Sequence, residues 1–267
     1  MQVENKFEFG KNWQSFLANH FSSESVKASK NRLVEFLAPA TLVGKEFVDF
    51  GSGSGLHSLS ALELGAAKVV SVDVDGVAVQ CAKSLKENSP YEKIWQIYKG
   101  SLLDQDFMKS LGLFDVVYCW GVAHHTGSMW QALENIAKNV KDGGLLFVAI
   151  YNNVEGGFGS RMWYRIKKFY NQSSFFIKKT MEFLYISHNF LILILHLKNP
   201  FSVIRNYKVK RGMSWTTDLV DWLGGYPYEY ASVKQIFDFY TERGFELKNI
   251  KTTNYIGCNQ FLFIKTK

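Results

Sequence analysis

Between residues 46 and 151, five short apolar runs alternate with segments of helical period, and this alternation limits the fold more than any other feature. The runs are Glu46–Phe50 (EFVDF), Lys68–Val74 (KVVSVDV), Trp95–Tyr98, Phe114–Trp120 (FDVVYCW) and Gly144–Tyr151 (GLLFVAIY). Helical patterns cover 24–39, 56–65, 76–88 and 128–140. Short buried-type strands separated by helices form a parallel sheet covered on both faces. The pattern stops near residue 153 and resumes near 231, with a helix over Val233–Tyr240 and strands around 245–254 and 260–265. The chain is therefore expected to form one α/β domain from residues 1–153 and 231–267. Residues 154–230 would be a helical cap over the carboxyl ends of the strands.

Charge is concentrated in that insertion. The chain carries +7 overall, yet residues 161–211 hold eleven Lys/Arg against the single acid Glu182, leaving the remainder mildly acidic. A local excess of this size attracts anions such as nucleotide diphosphates, phospholipid head groups or nucleic acid. Cys81, Cys119 and Cys258 are widely spaced, with no zinc-type spacing, which suggests a reducing compartment. No metal site is expected. The polar amino terminus lacks a signal-peptide core, so the expectation is a cytoplasmic protein.

The strongest chemical signal is Val48-Asp49-Phe50-Gly51-Ser52-Gly53-Ser54-Gly55, which follows a strand and opens a helix. Glycines allow a sharp turn and let a ligand approach bare main chain, and the helix start adds N–H groups. A dinucleotide site would show G-x-G-x-x-G, but the sixth position from Gly51 is Leu56. What stands here is D-x-G-x-G-x-G; an ordinary strand-to-helix turn is the plainer alternative. Asp73 ends the next strand, where a carboxylate can accept from both hydroxyls of a ribose. Asp75 reads as a helix N-cap.

With these neighbours, the loop resembles the first motif of class I S-adenosylmethionine-dependent methyltransferases. The segments Phe9-Gly10-Lys11-Asn12-Trp13-Gln14, Trp120 to Gly127, Ala149 to Asn152, Arg211-Gly212-Met213-Ser214 and Asp221 to Pro227 extend the likeness to a bacterial small-molecule subgroup. The resemblance implies a Rossmann-like seven-stranded sheet of order 3-2-1-4-5-7-6 with the last strand antiparallel. It implies S-adenosyl-L-methionine as cofactor and S-adenosyl-L-homocysteine as its product. Asp49, Gly51, Ser52, Gly53, Gly55, Asp73, Val74, Ser101, Leu102, Trp120 and Trp13 become candidate cofactor contacts. Trp120-Gly121-Val122-Ala123-His124-His125-Thr126-Gly127 looks like the family's fourth motif, where the acceptor meets the methyl group. It lacks the Asn/Asp-Pro-Pro-Tyr of enzymes that methylate exocyclic base amines.

A sulfonium methyl is already electrophilic, so holding the acceptor in line supplies much of the catalysis, about 7–11 kcal/mol. A hydroxyl acceptor also needs a base, and a histidine suits that role. His125 and His124 are the catalytic candidates, with His125 preferred on the resemblance; both being structural is the alternative. Tyr151, Asn152, Asp221, Tyr226 and Tyr228 are candidate acceptor contacts, although Asp221 equally reads as a helix cap. The expected reaction is O-methylation of a small, anionic metabolite, a sugar or sugar nucleotide. Alternatives are a quinone- or lipid-type acceptor at a membrane surface, an RNA, or cofactor binding without catalysis; nucleic acid is disfavoured by the lack of a recognised RNA-binding module. Residues 175–197 are apolar but interrupted by Glu182, His188, Asn189 and His196, so no membrane span is expected. A cap that packs on itself, a homodimer contact and a peripheral membrane contact through the basic residues all remain open.

Overall fold

A computed structural model describes residues 9–38, 40–211 and 215–266. Gly212-Met213-Ser214, part of one resembling segment, lies outside the described residues. Two helices, α1 (Gly10–His20) and α2 (Ser23–Leu37), lead into β1 (Glu46–Phe50), α3 (Leu56–Glu63), β2 (Lys68–Asp73), α4 (Gly76–Glu87) and β3 (Trp95–Lys99). Then follow α5 (Gln105–Ser110), β4 (Phe114–Trp120), a 3-10 turn over Ala123–His125, α6 (Met129–Lys138) and β5 (Val140–Tyr151). The insertion forms α7 (Ser160–Gln172), α8 (Phe175–Leu195), α9 (Pro200–Arg211) and α10 (Trp215–Gly224). The chain closes with α11 (Val233–Thr241), β6 (Phe245–Lys251) and β7 (Cys258–Lys265).

The sheet has the order β3-β2-β1-β4-β5-β7-β6. β7 runs antiparallel to both β5 and β6, and the other pairings are parallel. Strand alternation sends side chains to two cores. Phe47, Val69, Val116, Tyr118 and Phe147 meet Leu33 and Phe36 of α2 and Leu59 and Leu62 of α3. Val48, Val70, Val117, Val148 and Phe261 meet Leu133 and Ile136 of α6 and Ile236 and Tyr240 of α11. Both faces are thus covered, which explains the continuous apolar runs.

Local signals fix several helix starts. Ser22 and Ser25 form a reciprocal cap on α2, and Ser232 and Gln235 do the same on α11. Asp75 caps α4 by accepting from the Val77 amide at 2.8 Å. One boundary differs from expectation: β5 begins at Val140, ahead of Gly143-Gly144. Phe114 pairs with Val140, the register then slips, and Val116 pairs with Leu145. The glycine pair therefore lies at a bulge inside the strand.

The switch point lies between β1 and β4, because the chain builds outward from β1 to β3 and then returns to the opposite side. Ligands bind at such points outside the carboxyl ends of strands. The insertion leaves β5 and returns at Ala231, where Ala231 N–H donates to Tyr151 O at 3.0 Å and Asn153 N–H to Ala231 O at 3.1 Å. This short bridge closes the neck of the insertion.

Candidate methyltransferase site

The glycine loop folds tightly on itself. Gly51 and Gly53 adopt φ of +73° and +54°, values that disfavour a side chain. The Gly51 and Ser52 amides both donate to Val72 O, at 2.7 and 3.1 Å. The Gly53 amide donates to Asp73 Oδ2 at 2.9 Å. These three amides are engaged within the protein. The glycines supply close approach instead. A Cβ on Gly51 would stand 2.2 Å from the Val122 side chain, and one on Gly53 would stand 2.7 Å from the Trp13 indole.

Asp49 is buried behind the loop at the end of a directed polar chain. Trp95 Nε1 donates to Ser71 Oγ at 2.7 Å, Ser71 Oγ to Ser58 Oγ at 2.6 Å, and Ser58 Oγ to Asp49 Oδ2 at 2.7 Å. Burial raises the Asp49 carboxyl to about 7, against the lowering effect of the Ser58 bond. Asp73 also has its pKa raised by burial, while its oxygens accept from the Gly53 and Asp75 amides. Each oxygen of such a carboxylate keeps a lone pair for another donor. Ser52 Oγ is buried without a partner among the described residues. An oriented carboxylate, an unpaired hydroxyl and a glycine surface fit an adenosyl group: Asp73 for its ribose, the loop for its amino-acid end. Gly100 N–H donates to Asp73 O at 3.0 Å, which brings Ser101 and Leu102 beside that carboxylate. Leu102 is buried, whereas Ser101 Oγ accepts from its own loop's Leu103 amide at 3.2 Å. Val74 and Trp120 are exposed at the carboxyl ends of β2 and β4.

The histidine pair follows β4 and is clamped by the loop leading out of the cap. His125 Nδ1 lies 2.6 Å from Pro227 O. A carbonyl only accepts, so Nδ1 carries the proton and Nε2 keeps the lone pair. The Glu229 amide donates to His124 O at 2.9 Å. The Glu229 carboxylate accepts from the Met129 amide at 3.0 Å, capping α6 where Ser128 provides no side-chain cap. His124 is fully buried and accepts from the Tyr151 amide through Nδ1 at 3.3 Å, which places its proton on Nε2. That Nε2 has no partner among the described residues. Burial lowers both imidazoles, His125 to about 4 and His124 well below its ordinary value, so both are neutral at pH 7.

The amino-terminal helix covers the same region. Phe9 packs on His125 with ring centroids 5.1 Å apart, and Trp13 lies over Gly53. The Gly10 amide donates to Asp75 Oδ2 at 2.9 Å, and Asn12 donates to Asp221 of α10. Burial raises Asp221 to about 7, with Asp218 adding to the effect. Tyr151 joins His124, His125, Trp222 and Tyr228 in one aromatic cluster. Tyr228 is buried in it, whereas Tyr226 packs against Tyr164 of α7. The Asn152 side chain is engaged structurally, donating to Thr253 O at 2.8 Å and accepting from Asn259 at 2.9 Å. It ties the end of β5 to the β6–β7 connection.

One residue of this region escapes sequence reading. Lys167 is fully buried, and its Nζ lies 4.1 Å from the Trp222 ring centroid, 5.1 Å from Tyr228 and 5.9 Å from Trp163. It donates to Trp222 O. Burial pulls it down to about 7, with Asp221 acting in the opposite direction. Its sequence setting, among Arg165 and Lys168, suggests a solvated face. The signal that it is not lies in helical spacing: Ser160, Lys167, Tyr170 and Asn171 share the buried side of α7. Trp163 and Trp222 also line an open cavity of about 470 Å3, together with Phe158, Tyr185 and Tyr255.

This sheet, with its loop and carboxylate at the switch point, is the fold of class I S-adenosylmethionine-dependent methyltransferases. The magnesium protoporphyrin IX methyltransferase of Synechocystis PCC 6803 with bound SAH shares it at 13% identity, with a TM-score of 0.55 over 96% of this chain and 93% of that one. PKMT2 of Rickettsia typhi in complex with AdoHcy shares it at 14% identity, with a TM-score of 0.58 over 100% of this chain and 56% of that one. The chain belongs to the ribosomal protein L11 methyltransferase (PrmA) family, which matches residues 32–181. The ribosomal protein L11 methyltransferase of Photobacterium profundum is 43% identical over 56 residues, 21% of this chain and 19% of that protein. The chain spans between about a fifth and just over a third of the length of the curated relatives it matches. S-adenosyl-L-methionine is the cofactor of this class. The family match ends within α8, so it covers the cofactor half and stops short of α9, α10 and the clamp at Pro227 and Glu229.

Proposed function

We propose that this chain transfers a methyl group from S-adenosyl-L-methionine to a hydroxyl of a small acceptor, with His125 as the base. The bound cofactor would supply a sulfonium methyl open to in-line attack. Asp73, Ser52 and the glycine loop hold it; Phe9 and Trp13 exclude water from above. The observation that carries the hydroxyl reading is the His125 tautomer, with the proton fixed on Nδ1 by Pro227 and the lone pair on Nε2. An imidazole near 4 is too weak to ionise an alcohol in advance. It suffices once the acceptor oxygen begins to bond to carbon, because the hydroxyl proton then becomes strongly acidic. The unpaired Nε2–H of His124 offers a donor that can orient the acceptor; leaving such a group buried and unpaired costs about 1–3 kcal/mol, which a ligand can relieve. A sugar or sugar nucleotide is the acceptor class expected from the sequence.

The family match supports a second reading, in which the acceptor is a protein, as the name of the L11 methyltransferases states for those relatives. One experiment separates the two. The protein is incubated with methyl-labelled cofactor and a cell extract divided into small-molecule and protein fractions, including ribosomal protein L11. The expected label enters the small-molecule fraction, and His125→Asn lowers the rate about 100-fold or more while homocysteine-product binding persists. The acid limb of the pH–rate profile should lie near 4 and disappear in that variant. Label in L11 with full activity of His125→Asn would overturn the hydroxyl reading.

A further inference from the structure

The α8 helix runs for 21 residues without one buried side chain. Phe176, Phe183, Leu184, Leu191, Ile194 and Leu195 are all exposed, between 49% and 81%. At about 100° per residue these six fall within roughly 120° of the helix circumference, a single outward stripe. Tyr185 and Ile186 behind the stripe, and Met181 and Phe190 at its two edges, are half-buried. The stripe continues past the helix end. Leu197 is 96% exposed and adopts φ +53°, a left-handed conformation usually given to glycine. The helix closes around it through Leu197 N–H to Ile194 O and Lys198 N–H to Leu193 O, both 2.9 Å. Phe201, 75% exposed at the start of α9, packs on Phe190 with ring centroids 5.8 Å apart. An apolar side chain that is both strained and solvated needs a compensating environment.

The charge around the stripe identifies that environment. Arg161, Arg165, Lys168, Lys198 and Arg205 are exposed in a segment whose one acid, Glu182, is paired with Lys179 at 2.7 Å. A second copy of this chain would set this excess against itself. A nucleic acid would meet the cations but leave the Phe and Leu stripe in water. An anionic bilayer surface satisfies both, with phosphates at the cations and acyl chains at the stripe. Among the described residues no helix is long and apolar enough to cross a membrane, so α8 would lie in the surface plane.

We propose that α8 and the α8–α9 turn form a peripheral docking surface for anionic lipid bilayers. This holds whatever acceptor the site methylates. The test is co-sedimentation of the full chain with phosphatidylcholine vesicles containing either no anionic lipid or 30% phosphatidylglycerol. Partitioning should be at least 10-fold stronger on the anionic vesicles and fall several-fold in half-molar salt. Leu197→Asn combined with Phe183→Ser should weaken it a further 10-fold, while thermal stability and binding of S-adenosyl-L-homocysteine stay unchanged. Asn tolerates the left-handed turn, and Phe183 is exposed, so these changes spare the fold. Three results would overturn the proposal: no vesicle binding, binding indifferent to the two substitutions, or a lipid-free dimer in which hydrogen exchange shows α8 protected. RNA binding at moderate salt with no vesicle binding would overturn it in favour of a nucleic acid.

Discussion

Replacing Lys167 by Met should stabilise the protein at neutral pH and flatten its response to alkali. Lys167 Nζ is enclosed by Trp222, Tyr228 and Trp163, and burial lowers it from 10.5 to about 7. At roughly 1.4 kcal/mol for each tenfold, that gap makes the charged form cost on the order of 4–5 kcal/mol. The sign follows from proton counts. Below about pH 7 both folded and unfolded chains bind the proton, and the folded state carries the whole cost. Between 7 and 10.5 the unfolded chain binds a proton that the folded one has lost, so stability rises with pH. Met fills a similar volume without charge, giving up a cation–π contribution of about 0.5–2 kcal/mol and a hydrogen bond of about 1 kcal/mol. The net gain at pH 6.5 is therefore about 1–3 kcal/mol, vanishing or reversing by pH 9.5. Urea unfolding of both proteins at these two pH values measures it, and the difference between them cancels the other titrating groups. Equal destabilisation of the variant at both values would refute the reasoning, because Lys167 would then be a fully compensated charge.

Asp73→Asn removes the ionised acceptor expected to take the ribose hydroxyls, and isothermal calorimetry should show S-adenosyl-L-homocysteine binding weakened about 10- to 100-fold. Gly53→Ala forces a side chain into φ +54° and within 2.7 Å of Trp13. Strain and clash of about 2–4 kcal/mol should lower the melting temperature by several degrees in calorimetry and weaken cofactor binding with it. Ser71→Ala cuts the polar chain between Trp95 and Asp49, leaving a buried indole N–H unpaired. A loss of about 1–3 kcal/mol by urea unfolding is expected, and no loss would show that water replaces the hydroxyl.

The sequence displays those features whose partners lie nearby or whose pattern repeats. Sheet alternation is periodic, and Asp75 caps the residue two positions ahead. Gly51 and Gly53 announce a turn, although not that their amides are engaged by Val72 and Asp73. The histidines are visible as residue types, but their tautomers are set by partners far along the chain. Pro227 fixes the proton of His125 across 102 residues, and Glu229 caps α6 across 100. Lys167 is hidden for the same reason: its cage is completed by Trp222 and Tyr228, while its sequence neighbours Arg165 and Lys168 are exposed. The family match covers residues 32–181 and so includes the histidines, but not the 225–231 loop that orients them. On the proposed reading of His125, a substitution at Glu229 that releases α6 and the His124 carbonyl would reach His125 through the backbone, lowering the acceptor rate while binding of S-adenosyl-L-homocysteine persists.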